Sequence, residues 1–439
     1  MSIRNRIRSA VLNTLASEGM QSVSRGKAEL KRRLTGSKHV VEAFLQIDDP
    51  YSYLLAHYLP ALEECYDIEL VVHLSQALGN EFQPAPDMLA EYAVNDVRRV
   101  ARELGVPFLD RGLSPPTEHR VGLADAVAAG QENLLNVLEF YWRGDSEIAA
   151  RHAAAAEHAG RGDSAIEAAQ HRLQKLGHYN SAMLHYGGEW YWGVDRLHYL
   201  VERLDTLGAR RAESPHPKLA AIGRAKQVAL PVRPPAAAGN LPPLEVFVSL
   251  RSPYSVLALP RVFDLVDAFG LQLDIHLVMP MVMRGMQVPR AKLLYIARDT
   301  SREARTLDVP FGKFADPVGV GIERAYAAYF YACSEHRERD FLLNAAVGIW
   351  AEGVDLATDA GMRRITGRTG LFWPEVKDAM AASDWREEVD ANRESMMDSG
   401  SWGVPTLRLG DFVVWGQDRI WLLARHIEDL CDSGDGIIV

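Results

Sequence analysis

The chain has 439 residues, 48% of them hydrophobic and 24% charged, with 48 Lys+Arg against 58 Asp+Glu for a net charge of −10. That length calls for at least two cores, and the balance is that of an ordinary globular protein rather than a disordered or fibrous one. The acidic surplus speaks against a surface that grips nucleic acid throughout, and no apolar run approaches the ~18–20 residues of a membrane span.

The three cysteines (Cys65, Cys333, Cys431) lie far apart without C-x-x-C or zinc spacing. That excludes a disulfide scaffold, a dithiol centre and a cysteine-ligated zinc site, and it suits a reducing compartment. The N-terminus has no continuous apolar core or small-residue cleavage site, so it does not read as a secretory signal and a cytoplasmic location is expected.

In chain order, residues 1–40 carry nine Lys/Arg and only two acids. Ile3, Ile7, Val11 and Leu15 recur every four residues, which predicts an amphipathic helix with an arginine face. We expect this basic arm, residues 1–38, to pack on the body, with weak contact to a membrane surface or an acidic partner as its other use. A strand (Val41–Ile47), a Pro-Tyr-Ser turn, a helix and a second strand (Ile68–Leu74) follow, and then a long helical stretch. R-G-D-S occurs at 143–146 and at 161–164. Both read as helix starts, with Ser164 and Glu167 as a capping box. The run HYNSAMLHYGGEWYWG predicts a strand pair whose Tyr179, Tyr186, Trp190, Tyr191 and Trp192 are core or interface aromatics. His178 and His185 there lack metal-ligand partners at a recognisable spacing, and no residue set is a candidate metal site. Residues 208–243, rich in Pro, Ala and Gly toward their end, predict a stiffened linker.

Beyond that linker the series starts again: a strand (Leu244–Leu250), a turn and helix, a strand (Leu271–Val278), a long helical stretch, a strand pair and a final helix. EAFLQIDDPYSYLLAHYL from Glu42 lies against EVFVSLRSPYSVLALPRV from Glu245 at a constant offset of 203, which persists without a gap to Phe108 and Phe311. Twenty of those 67 paired positions are identical, and WGVDRL matches WGQDRI at an offset of 223. The chain therefore reads as one fold used twice, with a longer middle in the second copy. Strand, helix and strand early, then strands and a helix late, is an α/β thioredoxin-like plan with a helical insertion. The expected domains are 39–207 and 244–439, the second being the active half.

FVSLRSPYSVLALPRV, VPRAKLLYIARDTSREARTLDVPF and GSWGVPTLRLGDFVVWGQDRIWLL resemble the DsbA-like glutathione enzymes, the 2-hydroxychromene-2-carboxylate isomerases and kappa-class glutathione transferases. The resemblance covers residues 244–428, and more weakly about 40–205. It implies two tandem DsbA-like domains forming an intramolecular pseudo-dimer, with glutathione as cofactor over the start of the first helix. It also implies roles by residue: Ser252 as donor to the thiolate, Lys292 as a glutathione contact, and Pro405 as a cis-proline after Val404, whose backbone pairs with the ligand peptide. Asp418 would receive the γ-glutamyl amine, with Gln417 beside it. From the residues themselves, Ser252-Pro253 is an N-cap and N1 pair, and a helix N-terminus lowers a thiol pKa. Asp418 also reads as an N-cap of the last helix.

The first copy serves as an internal control. It has Asp49, Leu89, Ser181-Ala182 and Val194 at the positions of Ser252, Lys292, Val404-Pro405 and Gln417. Asp49 caps a helix but cannot donate to a thiolate. The family's Gly-Asn-x-Pro-Pro loop is replaced by MPMVMRGMQVPRAK, whose Met279, Met281, Met283 and Met286 offer a soft apolar wall. His73 and His276 fall on equivalent strands and read as structural. The expected function is a glutathione-dependent isomerase or transferase acting on a small aromatic or enone-like electrophile. The alternative is a non-catalytic scaffold or binding protein on the same fold.

Overall fold

Two helices, α1 (Ile3–Ala16) and α2 (Glu18–Thr35), open the chain. The computed structural model describes residues 3–76, 85–108, 117–144, 160–211, 216–286, 288–382 and 384–433, less the side chains of residues 3–8 and of a few others within helices. It divides into a first unit, Ser22–Gln227, and a second unit made of Met1–Gln21 with Val228–Val439. Among the described residues no helix is long and apolar enough to cross a membrane.

The first unit contains β1 (His39–Leu45), α3 (Pro50–Ala56), α4 (Leu59–Cys65), β2 (Ile68–Leu74), α5 (Pro86–Leu104), α6 (Thr117–Ala128), α7 (Leu134–Arg143) and α8 (Arg161–Leu176). It closes with β3 (Met183–Tyr186), β4 (Glu189–Trp192), α9 (Leu197–Thr206) and α10 (Pro217–Ala225). The second unit contains β5 (Leu244–Val248), α11 (Pro253–Phe269), β6 (Leu273–Leu277), α12 (Arg290–Thr306), α13 (Val320–Ser334), α14 (Glu338–Trp350), α15 (Asp359–Thr369), α16 (Trp373–Ala382) and α17 (Arg386–Asp398). β7 (Thr406–Leu409), β8 (Phe412–Trp415) and α18 (Ile420–Ser433) complete it.

Each unit has one four-stranded sheet, ordered β2-β1-β3-β4 and β6-β5-β7-β8. The registers coincide at the sequence offsets: Val41 pairs with Leu70 as Leu244 pairs with Leu273, Glu42 with His185 as Glu245 with Arg408, and Met183 with Trp192 as Thr406 with Trp415. Small polar contacts repeat as well. The strands stop at Leu45 and Val248, before the expected Ile47 and Leu250. There the next amide, Gln46 or Ser249, donates to the hydroxyl of Ser52 or Ser255 in the Pro-Tyr-Ser turn. His73 and His276 stack on Phe44 and Phe247 and reach Glu42 and Glu245, the bonds of sheet-anchoring residues.

The helix after the first strand differs between units. α11 runs unbroken for 17 residues. In the first unit the corresponding stretch divides, α3 ending at Ala56 and α4 beginning anew with Pro60 in its first turn, whereas α11 continues through its own Pro260. The hairpin aromatics of the first unit are core: Tyr186, Trp190 and Tyr191 are buried, and Trp190 packs against Phe44, His178 and His185.

Two local expectations are corrected. Helix α8 starts at Arg161, with Gly160 as its cap, so Ser164 lies inside it and its hydroxyl donates back to the Gly160 carbonyl instead of forming a capping box. The earlier R-G-D-S ends α7 at Arg143, where Gly144 closes the helix in a left-handed conformation; Asp145 and Ser146 lie outside the described residues. The basic arm is not one element either. α1 packs within the second unit through polar groups. Asn13 exchanges two hydrogen bonds with the backbone of Phe314 (3.1 and 3.0 Å), Ser9 accepts from the Asp316 amide, and the Ala16 carbonyl accepts from Ser301. Val11, on the expected apolar face, is 51% exposed. The side chains of Ile3 and Ile7 lie outside the described set. α2 instead belongs mostly to the first unit, where Arg25 grips Glu189 with two bonds. The stretch 208–243 contains α10 and a short turn at Ala236–Asn240, and the division between units falls within it.

Candidate active site

Ser252 stands where β5 ends and α11 begins, in contact with Val404. Ser252 is the N-cap of α11: it has extended backbone, its oxygen accepts from the Ser255 amide (3.2 Å), and Pro253 follows. Its hydroxyl donates to the Val404 carbonyl at 3.2 Å. The Val404–Pro405 bond is cis, and the Pro405 carbonyl accepts from the Gly416 amide (2.8 Å), which ties the segment to the turn carrying Asp418. Ser252, Val404, Pro405 and Asp418 are thus held by one short run of contacts.

Trp402 and Trp415 frame the same segment edge to face, with ring centroids 5.0 Å apart and planes inclined at 72°. A side chain at Gly403 would meet the Trp415 indole at 2.4 Å, so glycine is the residue that lets the indole lie against the chain there. Lys292, on α12, places its ammonium 5.6 Å from the Trp402 ring centre. Burial pushes its pKa down to about 8.

Gln417 is placed differently from its expected role. It is buried, and its side-chain amide donates to Glu303 (2.7 Å) and to the adjacent Asp418 (2.5 Å), while its two oxygens accept from Arg261 (3.0 and 2.6 Å). The first unit has Tyr58, Val100 and Val194 at these three positions, all buried. Gln417 therefore differs between halves because a polar trio stands where the other unit has an apolar one. Asp418 sits inside a short turn, Gln417–Arg419, capped by Gly416, rather than capping α18.

The first unit's equivalent place is filled from within. Asp49 caps α3 and accepts from the amides of Tyr51 and Ser52, from the Ser52 hydroxyl and from Ser181, in the position of Val404. Burial raises its pKa against those four bonds. Ala182 replaces the cis-proline and has φ of 52°. Asp195, the counterpart of Asp418, receives the ammonium of Lys226 at 2.9 Å. Leu89 stands where Lys292 does.

One residue escaped the reading of the sequence. Arg284, in the methionine run, is half-buried, and its Nε is buried without a hydrogen-bond partner. Among the described residues it forms no ion pair, and burial together with the nearby Arg393 lowers its pKa. Its loop follows β6, where the carbonyls of Leu277, the last residue of the strand, and of Val278 just beyond it accept from Asn392 and Tyr326; the Tyr326 hydroxyl also meets Ser249, three residues before Ser252. A lone arginine in an otherwise apolar, methionine-rich run was the available signal. Arg251, before Ser252, is by contrast neutralised by two bonds to Asp316.

The chain is similar to known proteins over part of its length. A 2-hydroxychromene-2-carboxylate isomerase of Pseudomonas putida is 22% identical over 196 residues, spanning 43% of this chain and 95% of the relative. A protein of the same name from Pseudomonas sp. (strain C18) is 21% identical over 192 residues, spanning 42% of this chain and 89% of its own length. A solved 2-hydroxychromene-2-carboxylate isomerase covers 45% of this chain and 99% of its own, with 21% identity and a TM-score of 0.39. Residues 243–428 match the family of the DSBA-like thioredoxin domain, so the α/β fold of the C-terminal half is of the DsbA-like thioredoxin type.

Proposed function

We propose that the second unit binds glutathione at the start of α11 and acts as an isomerase-like enzyme on a small aromatic or enone-like electrophile, by addition and either elimination or retention of the sulfur. The observation that carries this is Ser252. It is a hydroxyl at a helix N-terminus, in contact with the carbonyl that precedes a cis-proline, in the half that matches the DSBA-like thioredoxin domain, and the chain is similar to proteins named as isomerases. The residues present fit the ligand. The Val404 backbone offers peptide pairing, Asp418, one oxygen of which accepts from Gln417, a carboxylate for an amine, and Lys292 a cation for a carboxylate, whereas Gln417 is committed to Glu303, Arg261 and that same Asp418.

Bound there, glutathione would supply a thiol able to act as a nucleophile toward an electrophilic carbon. The N-terminus of α11 favours negative charge at that point. The Ser252 proton now rests on Val404, but a hydroxyl rotor can turn it toward a thiolate. Arg284 and Arg393 place positive charge beside the methionine wall, suited to an anionic substituent on the substrate. We also read the two units as a tandem duplication, which their shared strand order and register support. In the first, Asp49, Leu89 and the Lys226–Asp195 pair leave neither a donor nor a free acceptor for the ligand. The second reading, a binding scaffold without catalysis, is favoured by the internal commitment of Gln417.

Calorimetry of the full chain with glutathione decides between these readings. Binding at millimolar ligand or below is expected, and its absence overturns the enzyme reading. In the Ser252→Ala variant the pKa of the bound thiol should rise, seen as lost thiolate absorbance, while stability falls by only about 1 kcal/mol from the cap. An unchanged thiol pKa removes Ser252 from the chemistry.

A further inference from the structure

The described residues carry twelve large hydrophobic side chains that are clearly exposed, and five of them (Val11, Met20, Val23, Leu30, Leu34) crowd into the two N-terminal helices. Four belong to α2, with exposures of 39% at Met20, 52% at Val23, 58% at Leu30 and 78% at Leu34. With Lys27 they follow one another at intervals of three, four, three and four residues, the spacing of a helix-pairing seam. The opposite face of α2 is occupied: Arg25 holds Glu189, and Glu29 holds Arg32.

From this face we infer that α2 docks an acidic amphipathic helix of a partner protein. Charge selects the occupant. Lys27 lies in the seam and Lys31 flanks it; both are exposed, and among the described residues neither has an ion-pair partner. Arg33 flanks the other side and Lys38 follows the helix. Arg33 is already paired with Glu29, so a partner helix with glutamates beside its own apolar seam, and one opposite Lys27, answers the two lysines at once.

A second copy of this chain would set lysine against lysine in the same seam. A lipid surface asks for a broader apolar face than one seam of aliphatic residues, and for no lysine within it. The bonds to Glu189 already hold α2 as a helix, so docking does not have to fold it first.

The test uses the full chain and a synthetic peptide of about three heptads, with leucine in its seam, glutamate at the flanks and one glutamate facing Lys27. Fluorescence anisotropy should show micromolar binding that weakens at least about tenfold in the Leu30→Glu/Leu34→Glu variant and weakens further with salt. Lys27→Glu should reverse the preference toward a peptide with lysine at the facing position. Equal binding of the acidic peptide and its all-lysine counterpart, or no binding of either, overturns the inference. So does concentration-dependent dimerisation of the chain that Leu30→Glu/Leu34→Glu abolishes, or binding to phosphatidylserine vesicles lost in the same variant. Circular dichroism establishes that the variants, changed only at exposed positions, remain folded.

Discussion

Replacing Lys292 by methionine should make the protein more stable near neutral pH. The side chain keeps its length and helix preference, and what disappears is a charge that burial disfavours. Lowering the Lys292 pKa from the ordinary 10.5 to about 8 means that the folded state holds that proton less tightly. At 1.36 kcal/mol per pH unit the difference is about 3 kcal/mol, and the attraction of the ammonium to the Trp402 ring returns about 0.5–1 kcal/mol of it.

The sign follows from proton counting. Between about pH 8 and 10.5 the unfolded chain binds more protons at this lysine than the folded one, so wild-type stability rises with pH across that window. Below it the full cost is present, and above it none remains. Lys292→Met lacks this dependence, so its advantage of about 2–3 kcal/mol at pH 7 should shrink toward zero by about pH 10.5. Urea unfolding followed by near-ultraviolet circular dichroism at several pH values measures both curves. A variant that is less stable at neutral pH, or a difference that does not change with pH, refutes the argument. The same variant should lose glutathione affinity, since an anion facing Lys292 would otherwise restore its charge.

Three further outcomes follow from the paired geometry of the units. Asp308 has φ of 53° where the first unit has Gly105, and it is exposed; Asp308→Gly should therefore stabilise by about 0.5–1 kcal/mol in thermal unfolding. Gly403→Ala would press a methyl group into the Trp415 indole, so we expect a cost of about 1–3 kcal/mol, a changed near-ultraviolet tryptophan signal and weakened ligand binding. Lys226→Met leaves the buried Asp195 without its ammonium and should destabilise the first unit by about 2–3 kcal/mol, without creating a glutathione site, because Asp49 and Leu89 remain.

Much of the scaffold could be read before any coordinates, because each half tests the other. A shared offset constrains strand register as strongly as a pairing pattern does, and Ser-Pro and Asp-Pro announce helix starts by local chemistry alone. What escaped was set by long-range contacts. The four-residue recurrence of Ile3, Ile7, Val11 and Leu15 predicted an amphipathic helix but not that Ser9 and Asn13 would answer backbone groups at 314–316. Gln417 looked like a ligand contact because only one half keeps it. Its reason, Arg261 and Glu303, lies 156 and 114 residues away. Arg284 drew no notice because a lone arginine in a sequence does not reveal that it will be half-buried without a carboxylate.

The position of α1 also bears on the order in which the protein assembles. The groups it needs, Ser301 and Phe314–Asp316, follow it by 285 to 307 residues. At ribosomal speeds that is a wait of roughly 15–60 s, during which all of Ser22–Gln227 emerges and can reach its native state. The first segment of the chain is thus among the last to find its place. A fragment cut at the proline-rich stretch to isolate the second unit would begin without the helix that satisfies the amides of Phe314 and Asp316.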